Sequence, residues 1–310
     1  MNESVSPETL ARQHRQVDHF ISFCVDRNLQ PVDISPPGEP LLCDYAHSFA
    51  GKVSGATARS YITAVKKWSL LRGFRWTGGV YLERTLKGVE NRTPSSSIQE
   101  ERSPVREEHL QVLQEQARQT PNDGFIRCRN AAAFVMFYGQ MRAGEALSKN
   151  VEVDKYESHL PRVKDLAAPN DRGARILKLP KTKTQRIRGD QVIISPLNLS
   201  TSPTWAIRKH IEVNSLQGND PLFAYRDTAG VLHVLTKKLF LKSCNEDWRP
   251  RQIPCMTGHC FRIGGTTHYL LSGVAPDVVK ALGRWRSDTF LRYWRNIEEL
   301  ARVHLPVAGR

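Results

Sequence analysis

The feature that most constrains the fold is the stretch Asn130 to Tyr138, which reads NAAAFVMFY and is apolar at almost every position. A helix that is apolar all round has no face for solvent and is stable only when other elements cover it. This stretch therefore predicts a helix that is buried on nearly all sides within a folded domain.

The length of 310 residues allows one large domain or two ordinary ones. The segment Thr93 to Pro104 reads TPSSSIQEERSP, with two prolines and almost no large apolar residue, which is typical of a linker. We therefore predict a first domain over residues 1–92, a linker over 93–104 and a second domain over 105–310.

The first domain is predicted to be helical. Apolar residues recur at near-helical spacing over residues 10–25, and Pro7 suits the first turn of that helix. Further helices are expected over residues 41–50 and 58–72. Four basic residues accompany the apolar positions of the last of these helices: Arg59, Lys66, Lys67 and Arg72. They form either a solvated basic face or a face that lies against DNA.

The second domain is predicted to combine helices with one small β element. A helix is expected over residues 105–116, and residues 174–179 and 191–194 have the pattern of two short strands. The turn between these strands is basic and contains Lys181, Lys183, Arg186 and Arg188. Later helices are expected over residues 274–282, where a glycine follows, and over residues 289–303. The predicted fold class is mainly α with a small β-sheet (α+β).

The net charge indicates the kind of partner. The chain has a formal net charge of +14 and a sequence pI of about 9.7. A field of this sign attracts phosphate backbones, so a polyanion is the expected partner. No apolar run approaches the roughly 20 residues that span a bilayer, and the polar N-terminus does not resemble a secretion signal. We therefore expect an intracellular protein with no membrane partner.

The six cysteines are scattered without a framework spacing, which predicts reduced thiols. Cys255, His259 and Cys260 lie close together in the sequence, but they lack the paired C-x-x-C spacing of a structural zinc site. The chain also contains no nucleotide-binding motif. We therefore expect neither a metal ion nor another cofactor.

Two short patterns contain residues suited to phosphate chemistry. His259 and Arg262 are three residues apart, so a helix would place them on one face. A guanidinium binds two phosphate oxygens, and an imidazole beside it can donate or relay a proton. Arg142 and Glu145 are also one helical turn apart, which by itself predicts only an ion pair on a helix surface.

The order of the patterns is more specific than any one of them. It runs from Arg-x-x-Glu at 142–145 through the lysine-bearing hairpin to His-x-x-Arg at 259–262, then Trp285 and Tyr293. This order resembles the catalytic domain of tyrosine recombinases and phage-type integrases. The segment Gly258 to Arg295 resembles in particular the recombinase domains of eukaryotic mobile elements, fungal ones included. The first domain resembles their helical, SAM-like core-binding domain, which clamps DNA, so an integrase-like catalytic domain is expected to follow it.

The resemblance implies a role for each residue of the set. Arg142 and Arg262 would clamp the scissile phosphate, and His259 would assist proton transfer. Glu145 would hold the site together. Tyr293, on the last predicted helix, would attack phosphorus and form a covalent bond to the 3′ end of the DNA.

A lysine of the hairpin turn would be the general acid that protonates the leaving 5′ oxygen. The resemblance favours Lys183, with Lys181 as the alternative because hairpin register cannot be read from one sequence. Other basic residues of the helix at 58–72 and of the hairpin turn are expected to contact DNA: Arg59, Lys66, Lys67, Arg186 and Arg188.

The sequence departs from the family pattern at one position. Many family members have His or Trp nine residues before the tyrosine, directly after Leu-Gly, whereas here Arg284 follows Leu282-Gly283. Trp285 fills the role if the pattern shifts by one residue, with its indole N–H donating to the phosphate. Arg284 would alternatively supply a third positive charge. We favour Trp285.

These features predict a site-specific DNA recombinase or integrase that works through a covalent 3′-phosphotyrosine, without a metal ion or ATP. Duplex DNA is the expected partner, a homodimer or homotetramer the expected assembly, and the nucleus the expected compartment. Three alternatives are a DNA-binding protein that keeps the fold without catalysis, a type IB topoisomerase-like enzyme, and a basic scaffold that binds RNA.

Overall fold

The computed structural model of the chain describes residues 7–98, 102–149, 159–182 and 188–293, without the side chains of Thr289, Arg292 and Tyr293. The chain divides into two compact units, Met1–Glu101 and Arg102–Arg310. Each unit has its own hydrophobic core. The domain limits drawn from the sequence stay a prediction, and a short 3-10 turn, Ser95–Ser97, lies within the predicted linker.

The described part of the N-terminal unit is helical. Its helices are α1 (Pro7–Val25), α2 (Pro31–Ile34), α3 (Glu39–His47), α4 (Gly55–Leu71) and α5 (Val80–Asn91). Helix α4 begins three residues earlier than predicted because Ser54 caps it, accepting a hydrogen bond from the Thr57 amide at 3.2 Å. The Glu39 carboxylate of α3 accepts the amide hydrogens of Gly79 (2.7 Å) and Leu82 (3.0 Å), which stabilises the start of α5.

The C-terminal unit contains the remaining elements. Its helices are α6 (Glu107–Gln119), α7 (Gly124–Tyr138), α8 (Ala143–Ala146), α9 (Pro203–Val213), α10 (Lys237–Trp248), α11 (Gly258–Leu271) and α12 (Pro276–Leu282). Its strands are β1 (Arg175–Leu179), β2 (Asp190–Ile194), β3 (Ala224–Arg226) and β4 (Leu232–Val234). Every residue of α7 from Ile126 to Tyr138 is buried, so the prediction of a helix covered on nearly all sides is confirmed.

The two predicted strands are also confirmed. Strands β1 and β2 pair antiparallel, with Leu177 opposite Val192, and their inward positions are buried in the core. The second antiparallel pair, β3 with β4, was not predicted. Its strands are three residues long, which is too short to show an alternation of apolar and polar residues.

Helix α11 approaches its neighbours closely because it contains Gly264 and Gly265. A methyl group on Gly264 would overlap the backbone carbonyl of Val105, and one on Gly265 would overlap that of Phe137. The amide of Val105 also donates to the carbonyl of Cys260 at 3.0 Å. The His-x-x-Arg helix is thereby held directly against the end of the buried helix α7.

The last predicted helix differs from the structure. The α-helix expected from residue 289 is wrong over the described residues, where Asp288–Tyr293 is a 3-10 helix. The spacing of apolar residues over one or two turns does not distinguish i+3 from i+4 hydrogen bonding, and 3-10 turns are common at the ends of helices. The rest of the predicted helix, to residue 303, lies outside the described residues. Among the helices that the structure describes, none has the length and apolar character needed to cross a membrane.

Candidate active site

Arg142 and Glu145 form a partly buried pair at a sharp turn. Arg142 is the residue before the one-turn helix α8, so the expectation that both residues share a helix surface is wrong. The Arg142 amide donates to Glu145 Oε2 at 2.9 Å, and its Nη1 donates to Glu145 Oε1 at 2.8 Å. The Glu145 side chain is 4% exposed and that of Arg142 is 29% exposed. The carboxylate is therefore buried, while the arginine reaches the surface.

A second arginine binds the same carboxylate. Arg284 Nη2 donates to Glu145 Oε2 at 3.0 Å. Burial by itself raises the pKa of Glu145, but the charge of Arg284 and the hydrogen bonds from Arg142 outweigh it and hold this pKa below its usual range. Glu145 is therefore an ionised carboxylate shared by two guanidinium groups at neutral pH.

Arg262 lies in a different environment, fully buried on α11. Its Nη1 donates to the carbonyl of Gln140, and its Nη2 donates to the carbonyl of Gly283 at 2.7 Å. Its Cζ lies 3.8 Å from the centroid of the Trp285 ring. The positive charge is thus stabilised by two carbonyl dipoles and an aromatic face. The two arginines that the resemblance assigns to one phosphate differ in exposure.

Gln140 connects the two arginine environments, and sequence reasoning missed it. Its carbonyl accepts from Arg262, its Oε1 accepts from Thr266 Oγ1 at 2.7 Å, and its Nε2 donates to the carbonyl of Val279 at 3.4 Å. It is fully buried and has a φ of 46°, in the left-handed region. Since it precedes Arg142 by two residues, it ties that turn to α11 and α12. The signal available in the sequence was a polar residue two positions after the end of the apolar helix.

His259 is the second residue of α11 and is partly exposed. The residue before it, Gly258, packs on α8: a methyl group there would lie 2.6 Å from the Cβ of Ala143. The element that carries His259 therefore contacts the turn that carries Arg142. The structure brings these two predicted residues onto adjoining elements.

Lys237, which sequence reasoning also missed, lies beside the same point. Its Cε would be 3.2 Å and its Nζ 3.9 Å from a methyl group on Gly258. It begins α10 and is exposed. Its position follows from a parallel bridge in which its amide donates to the carbonyl of Ser148 at 2.9 Å, shortly after α8. No local pattern in the sequence indicates this pairing.

Several predicted residues lie partly or wholly outside the described part of the chain. The backbone of Tyr293 belongs to the 3-10 helix Asp288–Tyr293, but its side chain is not among those that the structure describes. Lys183 and Arg186 lie outside it altogether. Lys181 and Arg188, on either side of that gap, are exposed next to the paired ends of β1 and β2. The roles assigned to these residues stay predictions.

The basic residues of α4 differ in their contacts within the N-terminal unit. Arg59 Nη1 forms an ion pair with Glu83 Oε2 at 2.8 Å. The Lys66 ammonium lies 5.6 Å from the ring centroid of Trp76. Both Lys66 and Lys67 are exposed. A basic face is therefore present on α4, and one of its three cations already has a carboxylate partner.

The structure also bears on the cysteines and on metal binding. All six cysteines are free thiols. The Cys260 Sγ accepts a hydrogen bond from the Thr257 amide at 3.3 Å at the start of α11, and Cys255 is exposed. In the described ranges of the chain, no three His, Cys, Asp or Glu residues are grouped so that they could hold a metal ion.

No family model matches the chain, and no curated protein matches it. Solved structures do match. The Tn1549 transposon integrase in complex with circular intermediate DNA is 14% identical to this chain. The match covers 94% of this chain and 90% of the integrase chain, with a TM-score of 0.57. The XerH site-specific recombinase bound to palindromic difH substrate, a post-cleavage complex, is 15% identical over 92% of this chain and 75% of its own, with a TM-score of 0.56.

A third match is a lambda integrase tetramer bound to a Holliday junction, 13% identical over 94% of this chain and 72% of its own, with a TM-score of 0.56. At these identities the likeness establishes the fold. The fold class predicted from the sequence, mainly α with a small β element and an integrase-like catalytic domain, is confirmed. These three matches are a site-specific recombinase, a transposon integrase and lambda integrase.

Proposed function

We propose that this protein is a site-specific DNA recombinase or integrase that cleaves and rejoins DNA through a covalent bond between Tyr293 and a 3′ phosphate. The observation that carries the proposal is the packing of the Arg142 turn against the start of α11. This packing gathers Arg142, Glu145 and Arg284 beside the helix that carries His259 and Arg262. The fold shared with recombinases and integrases supports it.

The chemistry requires positive charge where a pentacovalent phosphorane develops negative charge. Arg142 reaches the surface and keeps part of its guanidinium uncommitted, because its side-chain hydrogen bond to a described residue uses Nη1 alone. His259 is partly exposed on the adjoining helix, and it would donate a proton to the reacting oxygens or relay one away from them. In this role the two side chains act on one phosphate.

The bond changes balance without an added energy source. The Tyr293 hydroxyl passes its proton to His259 as its oxygen forms a bond to phosphorus, the bond to the 5′ oxygen breaks, and a hairpin lysine protonates that leaving oxygen. Lys183 is the proposed acid, with Lys181 as its alternative. A tyrosine has an ordinary pKa of about 10, so it needs the positive site to lose its proton during attack. A second 5′ hydroxyl reverses the step, because the phosphotyrosine preserves the bond energy.

Duplex DNA is the proposed substrate, and assembly of two or four copies on it is the proposed arrangement. The net charge of +14 supports a polyanionic partner. The three solved structures described above are complexes with DNA, one of them a tetramer. We also propose that the protein resides in the nucleus and belongs to a mobile element. Both proposals depend on the sequence resemblance alone.

The buried state of Arg262 favours a second candidate function. Both of its Nη atoms donate to backbone carbonyls, and Trp285 covers one face of its guanidinium. In that state Arg262 does not reach a phosphate. A protein that binds DNA through its basic surface without cleaving it would have such a site permanently, whereas an enzyme would open it on binding DNA.

A trapping experiment separates these candidates. The full chain is incubated with a pool of nicked duplex oligonucleotides of randomised sequence, in which cleavage near the nick releases a short strand and prevents rejoining. We expect a protein–DNA adduct that resists denaturation, with Tyr293 as the modified residue on peptide mapping. Tyr293→Phe should bind duplex DNA and form no adduct.

Tyr225→Phe is the matched control, since Tyr225 packs against Phe125 on the small sheet β3–β4. Binding without an adduct in the wild-type chain would support the non-catalytic candidate. An adduct in Tyr293→Phe would contradict the assignment of the nucleophile. Relaxation of supercoiled plasmid without exchange between DNA sites would indicate a topoisomerase-like enzyme, and preference for single-stranded RNA would indicate a scaffold.

A further inference from the structure

The turn that follows α12 has an arginine at a position where the backbone favours glycine. The Trp285 amide donates to the carbonyl of Lys280 at 3.0 Å, and the Arg284 amide donates to that of Ala281, also at 3.0 Å. These two hydrogen bonds define a Schellman ending, whose residue after the cap adopts the left-handed conformation. That residue is Arg284, with a φ of 57°. The helix ending alone does not explain an arginine there.

The side chain of Arg284 is buried as well. It is 8% exposed, and its Nη2 donates to Glu145 Oε2. Its Nε and Nη1 are buried and have no hydrogen-bond partner among the residues that the structure describes. A buried cation in a disfavoured backbone conformation is destabilising unless its one strong contact compensates for it. In this structure that contact is the Glu145 carboxylate.

The charges of the cluster explain what the contact does. Arg142, Glu145 and Arg284 together carry two positive charges and one negative charge, so the cluster keeps a net charge of +1. Without Arg284, the Glu145 carboxylate would neutralise Arg142 alone. Arg142 is also the most exposed of the three side chains, so the surplus positive charge is available to an anion at that residue.

The same turn also positions Trp285, whose ring lies over Arg262. Two consecutive residues therefore reach the two arginines by different routes, Arg284 through Glu145 and Trp285 directly. The turn has no room for a side chain at Gly283, because a methyl group there would lie 2.5 Å from Gln140 Oε1 and from Trp285 Cδ1. The turn fits closely against the site.

We propose that Arg284 is a positioning residue that acts through Glu145: it holds the carboxylate and keeps the cluster positive, so that Arg142 can receive the scissile phosphate. This inference rests on the proposed function. It assigns the two residues that the sequence left as alternatives to different partners, Arg284 to Glu145 and Trp285 to Arg262. Arg284 does not contact the phosphate in this arrangement.

Arg284→Gly is the informative variant, because glycine suits the left-handed backbone and the chain should fold. Gln252→Gly is the matched control: Gln252 is exposed, has a φ of 59° and follows a separate 3-10 turn, Arg249–Arg251. We expect Arg284→Gly to slow adduct formation on the nicked duplex pool by about 100-fold, as a misplaced reacting group does. Gln252→Gly should react like the wild type, and Arg284→Lys should recover part of the loss.

A double-mutant cycle distinguishes positioning from direct contact. If Arg284 acts through Glu145, Arg284→Gly should add little to the loss already caused by Glu145→Gln. The slope of log affinity against log salt for a random duplex should be the same in Glu145→Gln and in the double variant, because no carboxylate is left there to neutralise Arg142, whereas a phosphate contact made by Arg284 itself would lower the slope by about 1 when lost. Additive losses in the cycle, or a lower slope in the double variant than in Glu145→Gln, would overturn the proposal.

The failure of the proposed function gives a different result. If the wild-type chain forms no adduct with any duplex, the recombinase proposal fails by itself. The positioning proposal is then decided by the same cycle measured as duplex affinity. Coupling between Arg284 and Glu145 supports it, and independent effects overturn it.

Discussion

The guanidinium of Arg262 lies against the indole of Trp285, with its Cζ 3.8 Å from the ring centroid. This contact closes one face of a side chain whose Nη atoms already donate to the carbonyls of Gln140 and Gly283. These Nη atoms can therefore donate to a phosphate only after they leave the two carbonyls.

The aromatic ring of Trp285, rather than its N–H group, is expected to stabilise the folded state. Trp285→Ala should lower the free energy of unfolding by about 1–2 kcal/mol, the range for a partly desolvated cation–π pair. Trp285→Phe keeps a ring over Arg262 and should lose clearly less. Urea unfolding monitored by far-UV circular dichroism measures both. Equal losses in the two variants would contradict a stabilising ring contact.

Gln140 is expected to stabilise the fold through its side chain. Gln140→Gly suits the left-handed backbone but removes the Gln140 Oε1 acceptor, so the buried Thr266 hydroxyl keeps only the carbonyl of Arg262, at 3.0 Å. The free energy of unfolding should fall by about 1 kcal/mol, the usual net contribution of one hydrogen bond. Thr266→Val removes the donor, so the double variant should lose less than the sum of the two single losses. Additive losses would show that the bond is not formed.

Local patterns predicted the fold well. The apolar stretch in α7 and the strands β1 and β2 follow from the residues themselves, because periodicity and burial are set within each element. The short strands β3 and β4 carry no such pattern. The 3-10 helix Asp288–Tyr293 has the same apolar spacing as the start of an α-helix, so sequence did not distinguish them.

The candidate site was predictable in its residue types but not in its contacts. Arg284 and Glu145 are 139 positions apart, and their pairing depends on how α12 packs beside α8. The left-handed conformation at Arg284 was not predictable from the sequence either, because the residue that usually indicates it is glycine. Lys237 reaches the site through a tertiary bridge to Ser148, which no spacing rule indicates.

Glu145 is expected to make stability depend on pH. Its pKa is lowered in the folded state, so its ionisation stabilises the fold above the ordinary pKa of 4.5, and this contribution is lost as the pH falls towards the lowered value. Glu145→Gln should reduce the free energy of unfolding by about 3 kcal/mol at neutral pH, as when one partner of a buried pair is removed. The difference from the wild type should shrink as the pH falls below 4.5.

The control for this effect is an exposed ion pair. Glu115→Gln removes the partner of Arg251, where both side chains are about half exposed. It should change the free energy of unfolding by less than about 1 kcal/mol at any pH. Chemical denaturation across the acidic range measures both variants. A pH-independent difference between Glu145→Gln and the wild type would mean that folding does not lower the pKa of this carboxyl.

Lys237 is expected to contact a DNA phosphate beside His259. It is exposed, its ammonium lies near Gly258 at the start of α11, and its side chain makes no hydrogen bond or ion pair with the residues that the structure describes. Lys237→Ala should weaken binding of a random duplex and lower the slope of log affinity against log salt by about 1, as the loss of one phosphate contact does. Fluorescence polarisation of a labelled duplex over a range of salt concentrations measures both quantities.

Lys238→Ala is the matched control, because Lys238 is also exposed in the first turn of α10 but is rotated by about 100° around the helix axis. It carries the same charge, so a general effect of net charge would weaken binding equally in both variants. If Lys237 contacts a phosphate at the candidate site, the larger loss of affinity and the lowered slope should both appear in Lys237→Ala alone. Equal losses would place Lys237 outside the phosphate-binding surface and leave Arg142 and His259 as the exposed groups that meet the phosphate there.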